Sequence, residues 1–188
     1  VFNGAEPINV VLCEEFLDRM RPTGLRRSAM FPVYGLAEAS LAVAFPSPGS
    51  EYRSVVLERA SLAVGAVAQH AARGAPGAVE FVCEGRAIPH CELRIADEAD
   101  GELSEGRVGH VQIRGDNVTR GYFEAPEANA AAFTADGWLR TGDLGLLDRG
   151  ELVITGRAKE IIFVNGQNYY PHDLEAIAIA AEGMELGK

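Results

Sequence analysis

The stretch Thr155-Gly156-Arg157-Ala158-Lys159-Glu160-Ile161-Ile162-Phe163-Val164-Asn165-Gly166-Gln167-Asn168-Tyr169-Tyr170-Pro171-His172-Asp173-Leu174-Glu175 decides how the chain is read. It has the order of a turn, a short apolar strand over residues 161–164, a glycine turn and a helix opened by Pro171. Proline suits a first helical turn, because the N–H it lacks would have no partner there. A domain boundary is expected over residues 156–159. Residues 1–156 then belong to one domain, and 157–188 form a hinge and begin a second, smaller one.

The bulk properties agree with a globular protein. The chain has 188 residues, 47% hydrophobic and 23% charged, enough for one core and part of a second. Its net charge of −10 argues against nucleic acid as a partner, since nucleic-acid binders carry a basic face. No apolar run approaches the roughly 18 residues of a membrane span, and the run over residues 39–45 stops at Pro46. There is no basic leader or cleavage signature, so a cytoplasmic protein is expected. The chain opens Val-Phe-Asn-Gly without an initiator Met, as a piece of a longer polypeptide would. Cys13, Cys83 and Cys91 are odd in number and irregular in spacing, which predicts free thiols in a reducing compartment. His70, His90, His110 and His172 are scattered and form no ligand cluster with a cysteine.

Upstream of the quoted stretch, Leu12, Phe16, Leu17 and Met20 recur at helical spacing, with Asn9 as N-cap. Residues 29–34 read as a buried strand ending at Gly35, and 53–57 as another. Residues 62–72 are Ala-rich and predict a helix despite Gly65. From residue 79 the pattern changes to short alternating segments, 79–82, 92–96, 108–114 and 118–123, separated by glycines and acidic turns. This predicts a small antiparallel β region resembling a barrel over residues 79–155. Residues 126–133 predict a short helix, and 143–147 with 151–154 a hairpin around Asp148-Arg149-Gly150.

Four motifs carry a resemblance. The first is Tyr34-Gly35-Leu36-Ala37-Glu38. The second runs from Gly109-His110-Val111-Gln112-Ile113-Arg114-Gly115 to Arg120-Gly121-Tyr122-Phe123 and Pro126-Glu127. The third is Gly137-Trp138-Leu139-Arg140-Thr141-Gly142-Asp143-Leu144-Gly145, and the fourth is the stretch quoted at the outset. In order and spacing they resemble adenylate-forming enzymes: acyl- and aryl-CoA ligases, amino-acid adenylation domains and luciferases. The Gly-Leu-Ala-Glu wording and Asn168-Tyr169-Tyr170-Pro171-His172-Asp173 resemble the fatty-acyl-AMP ligase branch most. The resemblance implies a mixed α/β fold: the C-terminal half of a large adenylation domain with its barrel-like β region, then the start of a small α+β C-terminal domain.

The resemblance also implies roles. Tyr34 would stack on adenine, with Gly35 and Ala37 beside the nucleotide. Ala37 stands where many members have Thr and removes a hydroxyl that could touch phosphate. Glu38 would be catalytic, holding the magnesium that bridges ATP phosphates, as a hard cation prefers carboxylate oxygen. Asp143 would accept both ribose hydroxyls, and Arg157 would contact ribose or phosphate. Lys159 would be the hinge, or else simply a surface lysine. Gly166 would lie near the channel of the incoming thiol. The second motif reads as scaffold, with Arg114 and Arg120 as solvated charges and Trp138 as a packing anchor. Segment 39–84 resembles the insertion of the AMP ligases; the alternative is a variable surface loop.

The implied activity is ATP- and magnesium-dependent conversion of a fatty acid to acyl-AMP, then transfer to the phosphopantetheine thiol of an acyl carrier protein, within a multidomain assembly line. An acyl-CoA ligase, an amino-acid adenylation domain and a non-catalytic interaction fragment are the alternatives. The family's phosphate loop and catalytic lysine have no counterpart here, and Lys188 falls too early for the lysine. Residues 1–188 alone are therefore expected to be inactive or nearly so.

Overall fold

Asn9 accepts a hydrogen bond from the Leu12 N–H at 3.2 Å, and from that cap the first helix, α1 (Val10–Met20), begins. The computed structural model describes residues 1–160, 162–164 and 167–169, with Leu174 and Ala178 beyond them. The helix buries Val10, Cys13 and Leu17 rather than the whole stripe expected from its sequence. Leu12 and Phe16 are exposed, because Cys13 and Leu17 meet Met30 and set the rotation of the helix.

Before α1, the strand β1 (Phe2–Asn3) runs parallel to β2 (Phe31–Pro32). The strand expected over 29–34 is therefore only two residues long. Arg27–Ala29 forms a 3-10 turn, and Tyr34 makes an isolated bridge to Ala44. Then follow β3 (Ala44–Phe45), β4 (Ser54–Glu58), β5 (Ala78–Val82) and β6 (Arg86–Ala87), pairing β3 with β6 and β4 with β5, both antiparallel.

No helix forms over 62–72. Gly65 is left-handed (φ +81°), and the backbone is taken by neighbours: Gly65 N–H to Val108 O, Ala68 N–H to Gly106 O, Ala71 N–H to Val56 O. Tertiary pairing overrides alanine's helical propensity here. The segment is no loose surface loop either. Val55, Leu57, Leu62, Ala68, Phe81 and Cys83 build a core with Val108, Leu146 and Val153.

The main sheet is β7 (Cys91–Ala96), β8 (Gly109–Gly115), β9 (Leu139–Asp148) and β10 (Glu151–Arg157), antiparallel in the order β10-β9-β8-β7. It is an open four-stranded sheet, not a closed barrel, among the described residues. The hairpin expected around Asp148-Arg149-Gly150 is present at β9–β10, but Asp148 pairs with Glu151 and the loop is only Arg149 and Gly150, both at positive φ (+55° and +73°), which matches strand twist. Residues 118–123 form no strand. They are pinned as a loop by Thr119 N–H to Glu38 O and by Asn129 of α2 (Pro126–Ala132), which bonds both the N–H and the carbonyl of Tyr122. Trp138 is the expected anchor, buried between the guanidinium groups of Arg94 and Arg114, 4.4 and 4.6 Å from its ring centre. Arg114 is thus not merely solvated; it also pairs with Glu92 at 2.7 Å.

The last described pair is β11 (Ile162–Val164) with β12 (Gln167–Tyr169), antiparallel. The strand expected at 161–164 is present over its described residues, and β12 was not anticipated. Gly166, Pro171 and most of the expected helix lie outside the described residues; Leu174 and Ala178 are helical.

The glycines give a stability test. Gly85 and Gly74 are both left-handed (φ +86° and +79°), but a Cβ at Gly85 would fall 2.0 Å from the Phe45 carbonyl, whereas Gly74 faces open space. Gly74→Ala should cost about 1 kcal/mol, the left-handed penalty alone. Gly85→Ala should add overpacking and cost about 3 kcal/mol or more. Urea unfolding of the two variants checks the difference.

Candidate functional site

A register shift in the main sheet builds the centre of the site. His110 pairs with Leu144 and Gln112 with Arg140, so Thr141, Gly142 and Asp143 bulge opposite Val111 alone. The Thr141 hydroxyl fills the gap in the ladder. It donates to Val111 O at 2.9 Å and accepts the Asp143 N–H at 3.1 Å. Gly142, at φ +83°, permits the turn. The bulge fixes where the Asp143 carboxylate points.

That carboxylate is buried and bonded on both oxygens. The Tyr34 hydroxyl donates to Oδ2 at 2.6 Å, and Arg157 Nε donates to Oδ1 at 3.1 Å. Arg157 faces Asp143 in the β9–β10 register, and its side chain is mostly exposed. Burial raises the Asp143 carboxyl above the ordinary range, opposed by the Tyr34 hydrogen bond and by Arg157. Burial and the Asp143 charge push the Tyr34 hydroxyl strongly upward, so it stays a proton donor. A carboxylate has about four acceptor positions, so Asp143 keeps capacity for further donors.

Most of the Tyr34 ring packs into the core with Val43, Ala44, Val111 and Leu139. Gly35 has a structural cause of its own: a Cβ there would lie 1.4 Å from Leu41 O. Ala37 and Glu38 occupy a 3-10 turn, Ala37–Ala39. The Glu38 carboxylate accepts from the Tyr122 hydroxyl at 2.8 Å, joining the first motif to the second. Lys159 lies exposed on the 3-10 turn Ala158–Glu160 that follows β10. Gly166 lies outside the described residues. The sequence motifs therefore converge in two linked places: Tyr34, Asp143 and Arg157 at one carboxylate, Glu38 and Tyr122 at the other.

Glu84 belongs to none of the motifs, although a charged residue between Cys83 and Gly85, just past an apolar strand, is a signal of sorts. Glu84 is buried at 7% exposure, and its Oε2 has no hydrogen-bond partner. Burial first, then the Asp143 charge, raise its carboxyl to about 8, against a lowering backbone hydrogen bond from Ile154. Thr155, in the β10 bulge between Ile154 and Gly156, is a second buried side chain whose oxygen has no partner.

Among the described residues no group of three or more His, Cys, Asp or Glu could hold a metal ion. Glu38 is a single accessible carboxylate, which suits a cation that brings most of its ligands with it. Cys13, Cys83 and Cys91 are buried free thiols. No helix among the described residues is long and apolar enough to cross a membrane.

Comparisons with known proteins bear on this geometry. Residues 1–123 match the family described as AMP-binding enzyme. The chain is 41% identical over 186 residues to a 4-hydroxyphenylalkanoate adenylyltransferase of Mycobacterium marinum, covering 93% of this chain and 30% of that protein. It is 38% identical over 187 residues to the long-chain-fatty-acid–AMP ligase FadD26 of the same species, covering 94% and 32%. A structure from a study of fatty acyl-adenylate ligases of E. coli and L. pneumophila matches with TM-score 0.86 at 35% identity, over 99% of this chain and 34% of that one. The adenylation domain of a keto acid-selecting NRPS module, bound to keto acyl adenylate, matches with TM-score 0.79 at 36% identity, over 98% and 34%. The chain thus spans about a third of the length of these proteins.

The buried carboxyl makes stability depend on pH. Glu84 rises from an ordinary value of 4.5 to about 8 in the fold. The native state therefore keeps a proton that the unfolded chain releases, and stability falls as pH rises from about 4.5 to about 8. Glu84→Gln removes this loss. Against wild type, the variant should gain relative stability steadily across that window, read as thermal midpoints at stepped pH. Tyr34→Phe should cost about 1–3 kcal/mol by leaving Asp143 Oδ2 short of a donor.

Proposed function

The chain belongs to the AMP-binding enzyme family, and on that premise we propose that the full protein is a fatty-acyl-AMP ligase. It activates a fatty acid with ATP and passes the acyl group to the phosphopantetheine thiol of an acyl carrier protein. The observation that carries this reading is the convergence at Asp143. Residues from two motifs 109 positions apart, Tyr34 and Asp143, meet at one buried carboxylate that the opening Arg157 also reaches.

In this reading Asp143 accepts the ribose hydroxyls through its spare acceptor positions, and Tyr34 keeps it ionised and aimed. Arg157, exposed beside it, turns toward ribose or phosphate oxygens. Gly35 and Ala37 keep the backbone beside the nucleotide free of bulk. Glu38 would hold the magnesium that ATP brings, and that ion would neutralise charge on the phosphates. The fatty-acid carboxylate attacks the α-phosphate and pyrophosphate leaves, giving acyl-AMP. The carrier thiolate then attacks the acyl carbonyl and AMP leaves. Lys159, just past the end of β10, is the hinge about which the second domain turns between the two steps, with the domain border at 156–159. The thiol channel at Gly166 rests on family resemblance alone. The cytoplasm, where ATP and carrier proteins meet, is the proposed location. Residues 1–188 alone are not expected to catalyse the reaction.

A second reading concerns only the acid. The 4-hydroxyphenylalkanoate adenylyltransferase relative favours an aryl-alkanoic substrate as strongly as FadD26 favours a long alkyl chain.

The test uses the full protein with ATP, magnesium, alkyl and aryl-alkyl acids, CoA and a phosphopantetheinylated carrier, with products identified by mass spectrometry. Acyl-AMP and acyl-carrier with little acyl-CoA are expected. Abundant acyl-CoA would replace the carrier-dependent ligase with a CoA ligase. Asp143→Asn should raise the KM for ATP about 10- to 100-fold, the worth of a charge-assisted hydrogen bond. Pyrophosphate exchange measures this.

A further inference from the structure

Loop 117–122 of the second motif holds the turn Ala37–Ala39, and with it Glu38, by three bonds. The Asn117 side chain donates to the Ala39 carbonyl at 3.2 Å, the Thr119 N–H donates to the Glu38 carbonyl at 2.7 Å, and the Tyr122 hydroxyl donates to Glu38 Oε1 at 2.8 Å. Tyr122 is itself fixed by its backbone. Asn129 of α2 accepts its N–H at 2.6 Å and donates to its carbonyl at 2.9 Å. Gly121 passes so close to that amide that a Cβ would fall 2.9 Å from Asn129 Oδ1. Arg140 in turn ties α2 to the main sheet, donating to the Ala131 and Phe133 carbonyls, both at 2.9 Å. Packing does not explain this anchoring. The Tyr122 ring is 41% exposed and belongs to none of the hydrophobic clusters among the described residues. What the anchoring fixes is the direction of one hydroxyl.

The consequence falls on the Glu38 carboxylate. Oε1 is occupied by the phenol, and Oε2 has no hydrogen bond or ion pair among the described residues. A carboxylate held in this way offers a cation one oxygen. Magnesium forms a small, strict octahedron and accepts carboxylates through a single oxygen, whereas calcium is larger, takes more ligands and gains from both oxygens of one carboxylate. No cluster of three or more ligating side chains occurs among the described residues, so a cage of protein ligands does not select the ion here. We propose that Tyr122 is a positioning residue of the cation site: by holding Oε1 it makes Glu38 a single-oxygen ligand and biases the site against calcium. The proposal rests on the reading of Glu38 as ligand of the cation that ATP brings. It also gives the second motif a task beyond scaffold, since Asn129 and Gly121 serve to aim Tyr122.

The experiment uses the full protein with ATP and no acid substrate, so that nothing turns over. Manganese, octahedral like magnesium, is the probe, and water-proton relaxation reads the protein-bound ion. Calcium is then titrated in, and the concentration that displaces half of the bound manganese is compared with the affinity for manganese itself. Tyr122→Phe, which removes an exposed hydroxyl and leaves the ring, should shift this ratio about 3- to 10-fold in favour of calcium, the worth of one hydrogen bond. Asn129→Ala, which releases the phenol without removing it, should shift it the same way. An unchanged ratio in Tyr122→Phe overturns the proposal: Tyr122 is then a tie between two loops, and the reading of Glu38 stands. Glu38→Gln should weaken manganese binding about tenfold or more. If it binds manganese as wild type does, the reading of Glu38 falls and the proposal falls with it.

Discussion

The site depends on one hydrogen bond, Tyr34 Oη to Asp143 Oδ2 at 2.6 Å, which joins the first motif to the main sheet. Both groups are buried, and each needs the other. Without the phenol proton Asp143 would be a buried carboxylate relying on an exposed arginine; without the carboxylate the buried hydroxyl would lose its charged acceptor. The geometry of each partner is set independently. Asp143 is placed by the Thr141 bulge on Val111, and Tyr34 by its bridge to Ala44 and its packing in the core.

The loop after Tyr34 is built around the same constraint. The chain doubles back so sharply that Ser40 and Leu41 both adopt left-handed φ, +51° and +78°. Such conformations cost roughly 1–2 kcal/mol each for residues with a Cβ. The Asn117 side-chain amide holds the loop by donating to the Ala39 and Ala42 carbonyls at 3.2 and 2.7 Å. The turn brings Leu41 O against Gly35, which explains the glycine, and presents Glu38 to Tyr122. Strain of this kind persists where surrounding contacts over-determine it, and such places concentrate at functional sites.

What the sequence could convey follows from how local each signal is. The Asn9 cap, the hairpin around Asp148-Arg149-Gly150 and Pro126 at a helix start are properties of a few adjacent residues, and each appears in the structure as read. Residues 62–72 depart from their helical pattern because alanine propensity is weak and is overridden by backbone bonds to residues 56, 106 and 108. Residues 118–123 alternate as a strand does, yet their partners are Glu38 and Asn129 rather than a neighbouring strand. Leu12 and Phe16 looked like core because helical spacing defines a face without saying which neighbour covers it. At the site, motif order brought Tyr34, Asp143 and Arg157 to attention, but only the fold brings them together. Glu84 belongs to no motif, and its importance depends on burial beside a second carboxyl, which sequence does not carry.

The account makes Asp143 the point at which the nucleotide is held. Its most direct test is a crystal structure of the full protein with a non-hydrolysable acyl-adenylate analogue. The account predicts both ribose hydroxyls within hydrogen-bond distance of the Asp143 carboxylate, with the Tyr34 hydroxyl still on Oδ2. An analogue bound elsewhere, with Asp143 touching only Tyr34 and Arg157, would contradict it.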